Sequence, residues 1–164
     1  MILMNDFKAE PPELREAMLD ATRRVLESGW YVLGNEVESF EKQWALVCGV
    51  QRAVGVGNGM DAIEIVLRAL DIGPGDEVIT TPMTAFATVL AILRAGATPV
   101  LADIEPDTAL LSLGSAARCI SPRTRAVVLV HLYGQVRDMN AWASFCSQHG
   151  IALVEDCAQA HLAA

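Results

Sequence analysis

The first fifty residues follow a helical pattern of apolar and polar positions. Apolar side chains recur every three or four residues, which predicts two helices, each with one buried face. The apolar positions of the first helix, over residues 11–28, are Leu14, Met18, Ala21 and Val25. Those of the second are Val37, Phe40, Trp44 and Val47. Gly29 is a typical helix stop, and the second helix is predicted to begin near Asn35, where Glu38 forms a cap-like pair.

Beyond residue 50 the pattern changes to short apolar runs that alternate with helical stretches. The predicted strands are residues 53–56, 77–80, 98–102, 126–130 and 151–154. The predicted helices between them are residues 59–70, 84–95, 112–120 and 138–149. Glycines and prolines mark the joints, and Asp138 is a candidate helix cap. This alternation is typical of an α/β fold, here a three-layer sandwich with a mostly parallel sheet.

The composition narrows the class of protein. The chain of 164 residues has a formal net charge of −8, and 52% of its residues are hydrophobic. Such an apolar chain is expected to fold, and its negative charge argues against a nucleic-acid partner. No apolar run reaches the roughly 20 residues that span a bilayer, and the first residues do not match a signal peptide. We therefore expect a cytoplasmic protein with no membrane partner.

The four cysteines do not form a metal-binding pattern. None makes a C-x-x-C pair, and in a reducing compartment we expect free thiols. Cys146 with His149, and Cys157 with His161, lack the paired ligand spacing of zinc fingers. We therefore expect no metal site.

Candidate functional residues follow the predicted strands, because α/β sheets bind ligands beyond the carboxyl ends of their strands. Gly57-Asn58-Gly59 leads from a strand into a helix. It forms either a tight turn or a cradle in which backbone N–H groups bind a phosphate. Phe86 opens the next helix and either joins the core or stacks on a flat ring. His131 is a base, a stacking residue or, as the more common case, a satisfied core histidine.

Asp156 is the most informative of these residues. It lies just after an apolar strand, where an unpaired carboxylate is costly. A protonated heterocyclic nitrogen would be a suitable partner, and Gln159 would then reach a neighbouring phenolic oxygen. The alternative is that Asp156 caps a turn and Gln159 is solvated. A phosphate cradle, an aromatic side chain and this carboxylate on one sheet edge describe a pocket for pyridoxal 5′-phosphate (PLP).

Six stretches of the chain carry a family resemblance. They are SGWYVLG at residues 28–34, FEK at 40–42, GVGNGMDA at 55–62, GPGDEVI at 73–79, HLYGQ at 131–135 and EDCAQAH at 155–161. Together they resemble the DegT/DnrJ/EryC1/StrS sugar aminotransferases, which are PLP-dependent transferases of fold type I. The resemblance implies a homodimeric enzyme that transfers an amino group, usually from glutamate, to a keto group on a nucleotide-linked sugar.

The resemblance also implies roles for individual residues. The backbone at Met60 and Asp61, next to Gly59, would hold the cofactor phosphate. Asp156 would pair with the pyridine nitrogen, and Gln159 would contact the ring hydroxyl.

A second group of implied roles concerns the N-terminal part of the chain. Tyr31, Leu33 and Gly34 belong to a loop that would lie near the active site and the dimer interface. In the implied domain organisation, residues 1–50 form a helical arm. Residues 51–164 form the N-terminal part of the PLP-binding large domain.

Three features depart from the family pattern. Met60 stands where the family has a threonine whose hydroxyl helps to hold the phosphate. The family's stacking aromatic aligns with Ala85, so Phe86 at the next position is the candidate for stacking. The only lysines are Lys8 and Lys42, and neither matches the family's Schiff-base lysine. We therefore expect an N-terminal piece of a longer protein, and we expect this piece to be inactive by itself. Its first strand, at residues 53–56, would lack the neighbouring strand of the sheet.

Three alternatives remain open at the level of sequence. Some relatives are dehydratases that use the pyridoxamine form of the cofactor and have histidine in place of the lysine. A degenerate paralogue that regulates or binds without catalysis is a second alternative, and Met60 and Ala85 favour it mildly. A generic nucleotide-binding α/β domain is the third, but the chain lacks its glycine fingerprint.

Overall fold

The computed structural model describes residues 6–163. Its α-helices are α1 (Pro12–Ser28), α2 (Asn35–Val47), α3 (Gly59–Ala69), α4 (Phe86–Ala95), α5 (Leu113–Arg118) and α6 (Met139–His149). Its strands are β1 (Glu77–Thr80), β2 (Thr98–Leu101), β3 (Thr124–Val130) and β4 (Ala152–Asp156). Single turns of 3-10 helix cover Phe7–Ala9 and Leu132–Gly134. The chain divides into two compact units between Gly55 and Val56. None of the helices described is both long and apolar enough to cross a bilayer.

The N-terminal unit confirms the two predicted helices but not their predicted burial. Gly29 ends α1 in the left-handed conformation, with φ 66°. No residue of α1 is buried, and Ala45 is the only buried residue of α2. The two apolar stripes are only partly buried: Ala21, Val25, Val37 and Trp44 are half-buried, and the other four residues are exposed. A helix buries its stripe fully only where a second layer packs against it. The predicted cap is also wrong, since Glu38 pairs with Lys42 at 2.6 Å instead of reaching back to the start of the helix.

The strand predicted at residues 53–56 does not form. These residues have no regular secondary structure, and the Val54 side chain is 78% exposed. A strand needs a hydrogen-bonded neighbour, and within residues 6–163 this segment has none. The backbone N–H of Gly55 donates instead to the carboxylate of Glu41 at 2.7 Å.

The other four predicted strands form one parallel sheet in the order β2-β1-β3-β4. The bounds of β1 agree with the prediction, and β3 begins two residues earlier than expected. The most useful difference is at β4, which continues through Asp156. This residue is therefore part of the sheet, fixed in register opposite Val130 of β3.

Helices cover both faces of this sheet, which confirms the three-layer α/β sandwich. Alternate residues of β3 point to opposite faces. Ala126 and Val128 pack with residues of α3 and α4, whereas Val127 and Leu129 pack with α5 and α6. Asp138, the predicted cap, begins α6, and Gly96, at a joint between elements, ends α4. The two helical layers leave the carboxyl ends of the strands free for a site.

Candidate functional site

A pocket opens where β3 and β4 end side by side. Val130 and Asp156, the last residues of these strands, are paired in register. The pocket has a volume of about 160 Å³. Its lining residues are Thr84, Ala85, Val130, His131, Leu132, Asp156, Ala158 and Gln159. The fold thus brings Asp156 and Gln159, two of the residues assigned to the cofactor by sequence, into one cavity.

Each carboxylate oxygen of Asp156 accepts one hydrogen bond from the protein. Oδ1 accepts from the backbone N–H of Ala158 at 3.1 Å, and Oδ2 accepts from the hydroxyl of Thr88 at 3.3 Å. A carboxylate has about four acceptor positions, so further donors can bind. The side chain is half-buried and lines the pocket. A protonated ring nitrogen placed there would be such a donor.

The carboxamide of Gln159 has a defined orientation. Its Oε1 accepts from the backbone N–H of Tyr133 at 2.9 Å. A backbone N–H can only donate, so the atom facing it is the carbonyl oxygen. The NH₂ group is consequently left to donate elsewhere. A phenolic oxygen is a suitable acceptor for that group.

This orientation depends on an unusual turn after β3. Tyr133 has φ 57° and Gly134 has φ 82°, so two consecutive residues adopt the left-handed conformation. A Cβ atom at Gly134 would lie 3.2 Å from the backbone oxygen of Gln159. Glycine is therefore favoured at 134 both by its φ angle and by the close approach of the chain at Gln159. Through these contacts the HLYGQ and EDCAQAH stretches meet in space.

His131 is a satisfied buried histidine. It is 1% exposed, and its Nε2 lies 3.0 Å from Oε2 of Glu155. The backbone N–H of Arg137 faces Nδ1 at 3.5 Å, which makes Nδ1 the acceptor and Nε2 the donor to Glu155. The imidazole therefore joins the ends of β3 and β4.

The cysteines provide one candidate metal cluster and one inert thiol among the described residues. Ligand atoms of His131, Glu155 and Cys157 lie within 4.8 Å of one another. A zinc-bound histidine donates its second N–H to an acceptor, whereas Nδ1 of His131 faces a donor. The hydrogen bonds of His131 to Glu155 and from the Arg137 amide therefore explain this cluster better than a metal ion does. Burial raises the pKa of the Cys146 thiol to about 11, which keeps it protonated at neutral pH.

The start of α3 offers a partial phosphate cradle. Asn58 caps the helix, and its Oδ1 accepts from the backbone N–H of Asp61 at 2.9 Å. The amides of Gly59 and Met60 lie in the first turn, where a helix supplies no acceptor. The carboxylate of Asp61 pairs with Arg94 at 3.2 Å. A phosphate that used the Asp61 amide would therefore have to displace Asn58.

The side chains of Met60 and Phe86 do not line the pocket that contains Asp156. Met60 packs against the core between the sheet, α3 and α4, and its sulfur lies 3.8 Å from Nη1 of Arg94. Phe86 is 74% exposed at the start of α4, whereas Ala85 just before it lines the pocket. The position where the resemblance places a stacking ring therefore carries only a methyl group.

Tyr31, Leu33 and Gly34 belong to the N-terminal unit. The side chains of Tyr31 and Leu33 are exposed, and Leu33 has φ 52°. Tyr31 and Gly34 line a small cavity of their own with Trp30 and Glu36. A Cβ at Gly34 would lie 2.9 Å from the backbone oxygen of Trp30, so the loop is tightly folded.

Sequence reasoning assigned no role to three groups in or behind the pocket: Thr84, Thr88 and the backbone N–H of Tyr133. Thr84 just precedes α4 and Thr88 lies in its first turn, and this four-residue spacing, which brings their side chains together, could have drawn attention. The backbone N–H of Tyr133 carries no signal in the side-chain sequence. Only Gly134, the next residue, indicates that the chain turns there.

Comparisons with known proteins agree with this geometry. The sequence profile of the DegT/DnrJ/EryC1/StrS aminotransferase family matches residues 12–164. The dTDP-3-amino-3,4,6-trideoxy-alpha-D-glucose transaminase of Streptomyces venezuelae is 47% identical over 156 residues, which are 95% of this chain and 41% of that protein. The crystal structure of S. venezuelae DesV with a ketimine intermediate has a TM-score of 0.91, with 47% identity, and the match covers 95% of this chain and 42% of DesV.

A second similar structure contains a cofactor. It is NtdA from Bacillus subtilis with bound PMP, at a TM-score of 0.86 and 31% identity, matched over 90% of this chain and 34% of NtdA. In each comparison the chain spans about two fifths or less of the length of the protein it matches. The profile match nevertheless covers most of the chain. This chain belongs to the DegT/DnrJ/EryC1/StrS aminotransferase family.

Proposed function

We propose that the protein carrying this chain is a PLP-dependent aminotransferase that acts on a nucleotide-linked keto sugar. The observation that carries the proposal is the pocket at the end of β4. There Asp156 presents a carboxylate and Gln159 presents an NH₂ group, side by side in one cavity. The carboxylate is a suitable partner for a protonated pyridine nitrogen, and the NH₂ group is a suitable donor to the phenolic oxygen beside that nitrogen.

The residues of the site fit PLP. Asp156 would hold the protonated ring nitrogen, and the NH₂ group of Gln159 would donate to the ring oxygen. The amides of Gly59 and Met60, with that of Asp61 if Asn58 moves away, would bind the phosphate at the start of α3. When bound, PLP supplies a carbonyl group that accepts amines and a ring that withdraws electrons. Phe86 remains a candidate for stacking, provided that its exposed side chain turns toward the ring.

The substrate and the assembly are proposed from the family. The S. venezuelae relative is named for a dTDP-linked amino sugar, which supports a nucleotide-linked keto sugar as amino acceptor. We propose glutamate as donor, a homodimer and a cytoplasmic location. In this proposal residues 1–50 form a helical arm, and Tyr31, Leu33 and Gly34 lie near substrate and interface. Residues 51–164 form the N-terminal part of the PLP-binding large domain.

The first test is an assay of the protein that carries this chain. Incubation with glutamate and a dTDP-linked keto sugar should yield 2-oxoglutarate and an amino sugar in equal amounts, detected by mass spectrometry. Loss of water from the sugar without gain of nitrogen would identify a dehydratase. The absence of both reactions, with no cofactor bound, would contradict the proposal and favour a non-catalytic binding protein.

The second test removes the charge of Asp156. Asp156→Asn should lower kcat by about 10²–10³-fold, the typical cost of removing a preorganised electrostatic partner. Asp138→Asn is the matched control. Asp138 caps α6 and does not line the pocket, and asparagine is an equally good cap. Equal activity of Asp156→Asn and the control would refute the assignment of Asp156.

A further inference from the structure

Two threonine hydroxyls connect α4 with the carboxylate of Asp156. Oγ1 of Thr84 lies 2.9 Å from Oγ1 of Thr88, and Oγ1 of Thr88 lies 3.3 Å from Oδ2 of Asp156. Thr88 is 1% exposed, whereas Thr84 lines the pocket. The three side chains form a continuous hydrogen-bonded row from the pocket wall, through the interior, to the end of β4.

The direction of these hydrogen bonds follows from their chemistry. An ionised carboxylate can only accept, so the single hydroxyl proton of Thr88 must be donated to Asp156. Thr88 then has no proton left for Thr84, and Thr84 must be the donor in their shared bond. The row therefore has one polarity, from Thr84 to Thr88 to Asp156.

The two oxygens of Asp156 are held by different elements. Oδ2 is held by Thr88 of α4, and Oδ1 by the backbone N–H of Ala158, which follows β4. One hydrogen bond alone would leave the carboxylate free to rotate about its bond to Cβ. Two donors from separate elements fix the plane of the group, and a buried polar network of this kind specifies a single geometry.

We propose that Thr88, supported by Thr84, is a positioning residue that orients Asp156 toward the ring nitrogen of the cofactor. This inference rests on the proposed function, since it assumes that Asp156 meets PLP. Thr88 itself is buried and does not line the pocket, so it acts through Asp156. Thr84 acts one step further away, by orienting the hydroxyl of Thr88.

The test compares two substitutions of Thr88 in the holoenzyme that carries this chain. Thr88→Val retains the branched shape and removes the hydroxyl, whereas Thr88→Ser retains the hydroxyl. Two quantities are measured: the dissociation constant of PLP, and the ¹⁵N chemical shift of the pyridine nitrogen in labelled PLP. The nitrogen shift reports protonation of the ring, which a purely structural role of Thr88 would not change.

We expect Thr88→Val to weaken PLP binding about tenfold, as loss of a hydrogen bond to a charged group implies. The nitrogen shift should move toward the value of the unprotonated ring. Thr88→Ser should stay within about threefold of the native protein and keep its nitrogen shift. Thr84→Val should give a smaller change in the same direction, because Thr88 then loses the donor that orients it.

Asp156→Asn separates failure of this inference from failure of the proposed function. If Asp156→Asn changes both quantities and Thr88→Val changes neither, the positioning role is wrong and the cofactor site stands. If Asp156→Asn changes neither, the cofactor site itself is wrong. If Thr88→Val fails to fold, the Thr84→Val variant provides the test instead. A Thr84→Val protein that binds PLP with native affinity and keeps the native nitrogen shift would overturn the proposal.

Discussion

Glu77 illustrates how one carboxylate links stability to pH. It lies nearly buried at the start of β1 and accepts hydrogen bonds from the Ser121 hydroxyl and the Arg123 guanidinium. These contacts, Ser121 first, lower the pKa of Glu77 below its ordinary value. Its contribution to stability is therefore fully present above about pH 4.3, the ordinary glutamate value. The contribution is lost as pH falls through the lowered pKa of the folded state.

We predict that Glu77→Gln lowers the free energy of unfolding at pH 7 and that this loss shrinks at pH 3. Denaturant unfolding of the native chain and the variant at both pH values measures the difference. Glu16→Gln, at an exposed position of α1 beyond its first turn, is the control and should change little at either pH. A loss of equal size at pH 7 and pH 3 would show that protonation of Glu77 does not matter.

A comparison of Gly134 with Gly150 separates two costs of adding a Cβ atom: backbone strain, and a close contact with another part of the chain. Gly134 and Gly150 both have positive φ, at 82° and 63°. A Cβ at Gly134 would meet the backbone oxygen of Gln159 at 3.2 Å, whereas one at Gly150 would meet nothing within 4 Å. Gly150→Ala should therefore cost only about 1–2 kcal/mol of strain. Gly134→Ala should cost more and should also weaken PLP binding, because it displaces Gln159. Equal losses of stability with unchanged cofactor affinity would contradict this reasoning.

The residue types of the pocket were predictable, but their orientation was not. Asp156 attracts attention because a carboxylate after an apolar strand needs a partner. The sequence does not reveal which atom of Gln159 faces the pocket, because the answer comes from the backbone N–H of Tyr133. A left-handed tyrosine is uncommon, so its side-chain identity gives no signal of the turn.

At the scale of the element, the cap of α3 competes with the proposed phosphate site. Asn58 Oδ1 accepts from the Asp61 amide, which is one of the donors that the resemblance assigns to the phosphate. We predict that Asn58→Ala destabilises the chain without cofactor by about 1 kcal/mol, the typical cost of losing a cap. Asn58→Ser, which preserves a capping oxygen, should recover most of this loss. Thermal or urea unfolding measures both, and equal stability of the alanine and serine variants would show that the cap is unimportant.

Element boundaries were predictable wherever a local signal exists. Asp138 accepts from two backbone amides of α6, and Gly96 and Gly150 end α4 and α6 with positive φ. The strand predicted at residues 53–56 does not form, because a strand needs a hydrogen-bonded neighbour, and the resemblance itself implies that this segment lacks its neighbour. The same reason explains why the apolar stripes of α1 and α2 are only partly buried, since their burial depends on what packs against them.

At the scale of the whole molecule, the lysines determine what this chain can do with PLP. A family aminotransferase needs a lysine that binds the cofactor covalently, and this chain has only Lys8 and Lys42. Both precede Gly55, whereas Asp156 and Gln159 belong to the unit that begins at Val56. Lys42 belongs to the FEK stretch, but neither lysine matches the family's Schiff-base lysine. In the proposed function, the residues of this chain would therefore contribute contacts to PLP but not the covalent link.

We predict that the 164-residue chain, incubated with PLP and then treated with borohydride, gains no stoichiometric PLP mass and catalyses no amino transfer. A longer protein that carries the chain should gain one PLP per subunit at a lysine outside these residues. Intact-mass measurement followed by peptide mapping distinguishes the two cases. A double variant, Lys8→Arg with Lys42→Arg, is the control, because its behaviour should match that of the native 164-residue chain. Stoichiometric labelling of Lys8 or Lys42, lost in the double variant, would instead assign the covalent role to the N-terminal unit and require a different mechanism.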